Sequence, residues 1–158
     1  MMKITDIVDS RAVASQLQAG SKKQALQEIS QALARLIAVD QRIIFETLLT
    51  REKLGSTGLG QGIAIPHGRI AGLQQVTGYF AKLTTPIDYD AVDGKPVDLI
   101  FALLSPDHAG ADHLTALAKI SRIMRSPATL AKLRANNTTE GLYTVLTEPV
   151  PSAPASAA

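Results

Sequence analysis

The sequence contains no cysteine, which excludes a disulfide framework and any thiolate metal site in this chain. It has no apolar stretch that approaches the length needed to span a bilayer. The N-terminal residues 1–6 also lack the apolar core of a signal peptide. We therefore expect a soluble, cytoplasmic protein without direct membrane insertion. The formal net charge is only +2, so composition gives no argument for nucleic-acid binding.

The chain length of 158 residues and the apolar content of 46% suit one globular domain with a sizeable core. Apolar periodicity predicts two early helices, which begin after Ser21 and Asp40. Three later helices are expected over residues 110–125, from Pro127, and from Thr138 or Thr139. In the first of these, we expect one covered apolar face that carries Leu114, Leu117, Ala118, Ser121 and Met124 and is widened by Ile120 and Ile123.

Strands are predicted over residues 63–65, 76–83 and 97–104, the last as a central strand because it is almost continuously apolar. Pro86 is expected to interrupt the chain, followed by a short edge strand over residues 87–89. Helices that precede strands mixed with helices indicate an α/β fold, a three-layer sandwich with a mixed β-sheet flanked by helices on both sides. The predicted domain covers residues 1–148, and residues 149–158 are predicted to be a disordered tail, since they are rich in Pro, Ser and Ala.

One stretch, residues 55–69, organises the chain. A loop with four glycines leads into the apolar run at residues 63–65, and this run delivers His67 to a strand end between Pro66 and Gly68. Proline stiffens the approach, and glycine leaves space beside the imidazole. Backbone N–H groups of the loop are candidates for an anion-binding nest.

The charge pattern around this stretch suits a phosphoryl group. No Asp or Glu occurs between Glu52 and Asp88, whereas Lys53, Arg69 and Lys82 do, with Arg51 just before them. A neutral imidazole has one free ring nitrogen that can attack phosphorus, while the other nitrogen carries the proton. Arg51, the loop backbone and the hydroxyl of Ser56 or Thr57 are candidate donors to the phosphoryl oxygens.

Two segments, residues 50–58 and 62–68, resemble the fructose/mannitol-type EIIA domains of the bacterial phosphotransferase system. The second contains the Ile-Pro-His-Gly motif, and residues 96–104 and 112–114 also fit. The resemblance extends from about residue 4 to about residue 146, and within the family it is greatest to the nitrogen-regulatory (PtsN-type) EIIA proteins.

This resemblance implies a fold and a set of roles. It implies the same mixed sheet flanked by helices, a phosphotransferase activity without a cofactor, and His67 as the phosphoacceptor. His113 matches a second active-site histidine of the family, which implies that it hydrogen-bonds the phosphoryl group. Arg51 and the phosphate-binding loop residues Ser56, Thr57 and Gly58 complete the predicted site. The implied partners are an HPr-like phosphocarrier as donor and regulated target proteins. Independently of the resemblance, the apolar residues Leu54, Leu59 and Ile70 are expected to surround the histidine and to form a docking rim for a partner.

Other interpretations remain open from the residues. A carbohydrate-specific EIIA would instead pass the phosphoryl group onward to a sugar-transport EIIB. The protein could also be chiefly a binding regulator whose histidine is only a switch. A metal site built from the three histidines and nearby aspartates is disfavoured, because no compact ligand pattern is present. His108 matches no motif and is expected to face solvent.

Overall fold

The computed structural model describes residues 2–150. Its helices and strands alternate irregularly along the chain, with three helices and one strand before the main block of strands and three helices after it. In chain order they are α1 (Ile4–Ile7), β1 (Val13–Leu17), α2 (Lys22–Ile37), α3 (Gln41–Lys53), β2 (Gly58–Gly60), β3 (Ile63–Ala64), β4 (His67–Ile70), β5 (Thr77–Ile87), β6 (Val97–Pro106), α4 (Gly110–Met124), α5 (Pro127–Ala135) and α6 (Thr139–Thr147).

The six strands form one mixed sheet with β6 near its centre. The strand order is β1-β5-β6-β3-β2, and β4 also pairs with β6. Pairing is antiparallel between β5 and β6, whereas β1 runs parallel to β5, and β3 and β4 run parallel to β6. The predicted mixed sheet and the central position of residues 97–104 are therefore confirmed.

Strands β3 and β4 together line one side of β6 in a single register. Ile63 lies opposite Leu99, and four residues later His67 lies opposite Leu103, so the offset is unchanged. The carbonyl of Pro66 accepts a hydrogen bond from the Leu103 N–H at 2.9 Å, which joins the two segments. His67 lies at a strand end, as predicted, but it is the first residue of β4, a strand that the sequence did not predict and that continues along β6 as far as Ile70.

Helix boundaries follow from side-chain caps that the sequence predicts. Ser21 accepts a hydrogen bond from the Gln24 N–H at the start of α2, and Asp40 accepts one from Arg42 N–H at the start of α3. Such caps satisfy amide groups that have no partner within the helix. Ser126 and Thr138 cap α5 and α6 in the same way, which confirms both predicted starts.

Helices cover the sheet as two groups. α2 and α3 pack on each other and contact β5 and β4, whereas α4 and α6 contact β6 and β1 and pack with α5 and α1. The apolar side chains of β6 are fully buried between these layers, among them Leu99, Phe101 and Leu103. The predicted three-layer arrangement accounts for this burial.

Two predictions about local structure are wrong. Strand β5 continues through Pro86 to Ile87, because its pairing with β6 is irregular between Lys82 and Ile87 and can accommodate a residue without an N–H. The edge strand predicted over residues 87–89 therefore does not form, and Tyr89 is fully buried outside any strand.

The inward face of α4 also differs from the prediction. Its buried residues are His113, Ala116, Ile120, Ile123 and Met124, whereas Leu114 is 66% exposed. Ile120, Ile123 and Met124 belong to the predicted face, whereas His113 and Ala116 do not, and His113 makes a buried hydrogen bond described below. Of the predicted tail, Val150 packs partly buried against the core, and residues 151–158 lie outside the described residues.

Candidate active site

His67 is held by a hydrogen bond within its own segment. Its Nδ1 lies 2.8 Å from the carbonyl oxygen of Ile65. A carbonyl oxygen can only accept, so Nδ1 carries the proton and donates it. In the neutral ring Nε2 is then unprotonated, and its lone pair is available as a nucleophile. Pro66 and the buried side chain of Ile65 hold the accepting carbonyl in place.

The surroundings of His67 favour its neutral form. Burial lowers the pKa of His67 below the ordinary value, and the positive charge of Arg51 lowers it further. The hydrogen bond to the Ile65 carbonyl and the charge of Glu52 act in the opposite direction and raise the pKa. The net direction is downward, so the free lone pair on Nε2 is present at neutral pH.

His113 lies beside His67 although the two residues come from different layers. Their ring centroids are 5.8 Å apart and the ring planes are inclined by 49°. His113 lies in the first turn of α4 and is buried. The prediction that the sheet edge brings the two histidines together is confirmed geometrically. The roles of acceptor and assistant remain predictions.

Ser105 on β6 determines how His113 is presented. The Oγ atom of Ser105 is 2.6 Å from Nδ1 of His113, and Ser105 is fully buried. Within residues 2–150 the Ser105 hydroxyl has no other hydrogen-bond partner, so its hydrogen is satisfied when it points to Nδ1. The neutral His113 ring then carries its proton on Nε2, which makes Nε2–H a donor.

The charges near His113 also favour its neutral form. Burial is the largest cause that lowers the pKa of His113, followed by the positive charge of Arg69 and by His67. Arg69 lies opposite Ser105 in the register between β4 and β6, two residues after His67. This arginine therefore belongs to the positive charge of the site, as the charge pattern of the sequence indicates, and in the structure its charge acts on His113.

Gly68 permits the close approach of α3 to β4. A Cβ atom at this position would lie 2.5 Å from Cγ2 of Thr47, well inside van der Waals contact. Because side chains alternate between the faces of a strand, Gly68 faces α3 while its neighbours His67 and Arg69 face the other side. The glycine of the motif is thus required by packing.

Arg51 lies in the last turn of α3, as predicted, and helps to hold the glycine-rich loop. Its Nη1 donates a hydrogen bond to the carbonyl of Gly55 at 2.9 Å. The guanidinium is also close enough to His67 to influence its pKa. Arg51 is therefore placed both to order the loop and to present positive charge beside the imidazole.

The loop hydroxyls have partners inside the protein. Ser56 Oγ donates to the carbonyl of Tyr89 at 3.0 Å and accepts from the N–H of Gly58 at 3.1 Å. Thr57 is buried, and its hydroxyl donates to the carboxylate of Glu52. A Cβ at Gly58 would lie 2.9 Å from the backbone of Ala91. The phosphate-binding role of these three residues stays a prediction, and the structure gives each of them a packing role.

Two features of the sequence-based picture need correction or completion. Ile70, predicted as part of a docking rim, is buried, whereas Leu54 and Leu59 are exposed, together with Ile43 and Leu114. His108 lies in solvent, as expected, with its side chain 80% exposed beside Asp107. No group of three or more potential metal ligands occurs within residues 2–150.

Sequence reasoning missed Ser105 and Glu52. Ser105 was visible only as the polar residue that ends an apolar strand, and no spacing links it to His113 eight residues later. Glu52 was visible as the last acid before the acid-free segment, but its burial beneath the loop depends on how α3 ends.

No described helix is long and apolar enough to cross a membrane.

Comparison with known proteins gives a family match over most of the chain. The family described as phosphoenolpyruvate-dependent sugar phosphotransferase system, EIIA 2, matches residues 6–148. The chain is 49% identical over 157 residues to a nitrogen regulatory protein of Bradyrhizobium diazoefficiens, and the match covers 99% of this chain and 100% of that protein.

Two further similarities concern a nitrogen regulatory protein and a sugar-specific protein. The crystal structure of nitrogen regulatory protein IIA-Ntr from Neisseria meningitidis superposes with a TM-score of 0.86 at 41% identity, covering 91% of this chain and 99% of that chain. The fructose-specific EIIABC component of Bacillus subtilis is 30% identical over 124 residues, covering 78% of this chain and 20% of that protein.

Proposed function

Because the chain belongs to the EIIA 2 family of the phosphoenolpyruvate-dependent sugar phosphotransferase system, we propose that it accepts a phosphoryl group on His67 from an HPr-like phosphocarrier. In this proposal the protein then regulates partner proteins according to its phosphorylation state. Members of the family act as phosphotransferases and interact with other proteins of the system. The proposal includes the cytoplasmic location that is expected from the sequence.

The observation that carries the proposal is the hydrogen bond from His67 Nδ1 to the Ile65 carbonyl. It leaves Nε2 with a free lone pair, which forms the new N–P bond as the carrier's bond to phosphorus breaks. The electron pair of the broken bond stays on the carrier. The positive charge that develops on the His67 ring is stabilised at Nδ1–H, which keeps its proton and donates it to the carbonyl.

His113 and Arg51 assist the transfer in this mechanism. The Nε2–H of His113 is the outward donor of a ring whose centroid is 5.8 Å from that of His67. It can therefore donate a hydrogen bond to an equatorial oxygen of the transferring group. Arg51 adds positive charge at the C-terminal end of α3, where the loop begins. Such preorganised donors act mainly by stabilising charge in the transition state.

A regulatory rather than a sugar-transport role is the better-supported branch. The chain is 49% identical to a nitrogen regulatory protein but 30% identical to a fructose-specific EIIABC component, of which it matches 20%. Exposed apolar side chains at Leu54 and Leu59 provide a surface near Arg51 on which a partner could dock. A new dianion at His67 would have to be desolvated there, so targets should prefer one phosphorylation state.

The test is incubation with a phosphorylated HPr-type carrier, followed by mass analysis and mapping of the modified residue. We expect one acid-labile phosphoryl group on His67. A protein that takes up no phosphoryl group, or takes it up elsewhere, would overturn the proposal. Adding a purified fructose-type EIIB then distinguishes the branches, because rapid onward transfer would favour the carbohydrate-specific alternative.

A further inference from the structure

A buried ion pair lies beneath the glycine-rich loop. The carboxylate of Glu52 is 2.8 Å from the ammonium of Lys22, and the two side chains are 2% and 19% exposed. Glu52 is the next-to-last residue of α3 and Lys22 is the first residue of α2. Each charge therefore sits at the helix end whose dipole disfavours it. Together with the desolvation of a buried ion pair, this placement makes global stability a poor explanation for the pair.

The local hydrogen bonds indicate what the carboxylate does. Oε1 of Glu52 accepts from the Thr57 N–H at 3.0 Å, and Oε2 accepts from the Thr57 hydroxyl. With Lys22, three donors converge on one carboxylate, which has enough lone pairs for all of them. The hydroxyl of Tyr89 lies 3.3 Å from the Thr57 hydroxyl and closes the cluster. Glu52 thus holds both the backbone and the side chain of Thr57.

A short series of hydrogen bonds continues from Thr57 to the imidazole. The carbonyl of Thr57 accepts from the Ile65 N–H at 3.0 Å. The carbonyl of Ile65 in turn accepts from His67 Nδ1–H at 2.8 Å. Thr57 and Ile65 are both buried, so water does not compete for these groups. The position of the carbonyl that orients His67 therefore depends on the position of Thr57.

We propose that Glu52 is a positioning residue for His67, acting through Thr57 and Ile65 on the orientation and tautomer of the imidazole. The effect on phosphoryl transfer rests on the proposed function, whereas the effect on the ring does not. The negative charge of Glu52 also acts on His67 directly. It raises the pKa of His67 and so opposes the effect of Arg51, its neighbour on α3. The other charged or titratable groups around the two rings are His113 on α4 and Arg69 on β4.

The variants Glu52→Gln and Lys22→Met/Glu52→Gln distinguish a role of Glu52 in positioning His67 from a role in the stability of the fold. Glutamine keeps the shape but offers one oxygen to the Thr57 donors, and it leaves the Lys22 ammonium without a counter-charge. The double variant removes both charges, so it should recover most of the melting temperature. It does not recover the second acceptor oxygen for Thr57. The matched control is Glu148→Gln, which removes a carboxylate that pairs with Lys132 at 2.9 Å at the far end of the chain.

Nitrogen NMR of the histidine rings measures the inference without any phosphoryl donor. We expect a lower His67 pKa and a smaller population of the Nδ1–H tautomer in both Glu52 variants, with Glu148→Gln unchanged. Carrier kinetics should show a decrease of about 10- to 100-fold in kcat with little change in KM, because misplacement of a reacting group costs on this order. This decrease should persist in the double variant even where its melting temperature is restored.

The outcomes are distinguishable. Glu52 variants in which the tautomer and pKa of His67 match those of the unmodified protein would overturn the inference. So would a double variant that regains both stability and full transfer rate, since that result shows a purely structural ion pair. If Glu52→Gln does not fold, the double variant gives the same comparison. A protein that is never phosphorylated at His67 would refute the proposed function, while the ring measurements would still decide the role of Glu52.

Discussion

The two histidines of the site are the same side chain in two different hydrogen-bonding positions. Nδ1 of His67 meets a carbonyl oxygen, which can only accept, whereas Nδ1 of His113 meets a hydroxyl, which can donate. The first contact leaves Nε2 as a lone pair and the second leaves it as an N–H group. The difference teaches that the atom bonded to Nδ1 decides whether Nε2 is offered as an acceptor or as a donor, which is the basis of the proposed roles of the two rings.

The electrostatic surroundings act in the same direction on both rings. Burial lowers the pKa of both rings, but Glu52 partly offsets the effect at His67, while Arg69 adds to it at His113. Arg51 also lowers the pKa of His67, and the net direction is downward for both rings, so both are held in the neutral form at neutral pH. His113 is kept as a neutral donor, which can approach His67 without repulsion between two positive rings.

The largest expected effect comes from removing the nucleophile. His67→Ala should fold but accept no phosphoryl group, because the Nε2 of His113 is occupied by a proton and cannot replace it. Incubation with phosphorylated carrier and measurement of incorporated phosphate checks this. Full labelling of the variant would show that the two rings have been assigned the wrong way round.

Removing the assisting ring should have a smaller effect. His113→Ala loses one donor to the transferring group, and loss of such a donor slows a reaction by about 10²- to 10³-fold. The phosphoryl group should still map to His67. Rapid-quench labelling measures the rate, with His108→Ala as the control because that side chain lies in solvent. An unchanged rate in His113→Ala would remove this residue from the mechanism.

The hydrogen bond between Ser105 and His113 can be removed without removing either ring. Ser105→Ala removes the hydroxyl that donates to Nδ1, so the ring should redistribute between its two tautomers. A typical hydrogen bond contributes about 1 kcal/mol, so we expect transfer to slow by about fivefold. Nitrogen NMR should show the change at His113 and none at His67. A change in the nitrogen signals of His67 alone would contradict the role given to Ser105 as the hydrogen-bond donor to His113.

The smallest expected effect is on stability as a function of pH. Both rings have folded-state pKa values below the ordinary 6.5, so the unfolded chain takes up protons first as the pH falls. The free energy of unfolding should therefore decrease from about pH 7 downward and level off below the folded pKa values. Urea titrations should show a shallower dependence in His67→Gln or His113→Gln. An identical slope in either variant would count against a depressed pKa at that ring.

Much of the fold could be predicted because its signals are local. The caps at Ser21, Asp40, Ser126 and Thr138 each lie next to the helix that they begin. The central strand was recognisable from a run of apolar residues that is long enough to be buried on both faces. Local chemistry and tertiary packing agree at these places, so the sequence alone was sufficient.

The errors occur where a distant partner decides the outcome. Pro86 is tolerated in β5 because pairing with β6 is already irregular there. The buried face of α4 begins with His113, which bonds Ser105 on β6, and leaves Leu114 exposed. The chain continues past His67 because β6 extends beyond it as far as Pro106. Each of these outcomes depends on register or on a buried polar contact, which periodicity does not encode.

The pairing of β4 with β6 determines when, during synthesis of the chain, the site around His67 can form. Within residues 2–150, β4 has no strand partner other than β6, and residue 103, which lies opposite His67, is synthesised long after it. A nascent chain that has emerged only to the end of β5 carries His67 without the strand that supports it. At a synthesis rate of about 5–20 residues per second, the histidine waits for seconds before α4 brings His113. Unfinished chains should therefore not compete with complete ones for the phosphoryl donor.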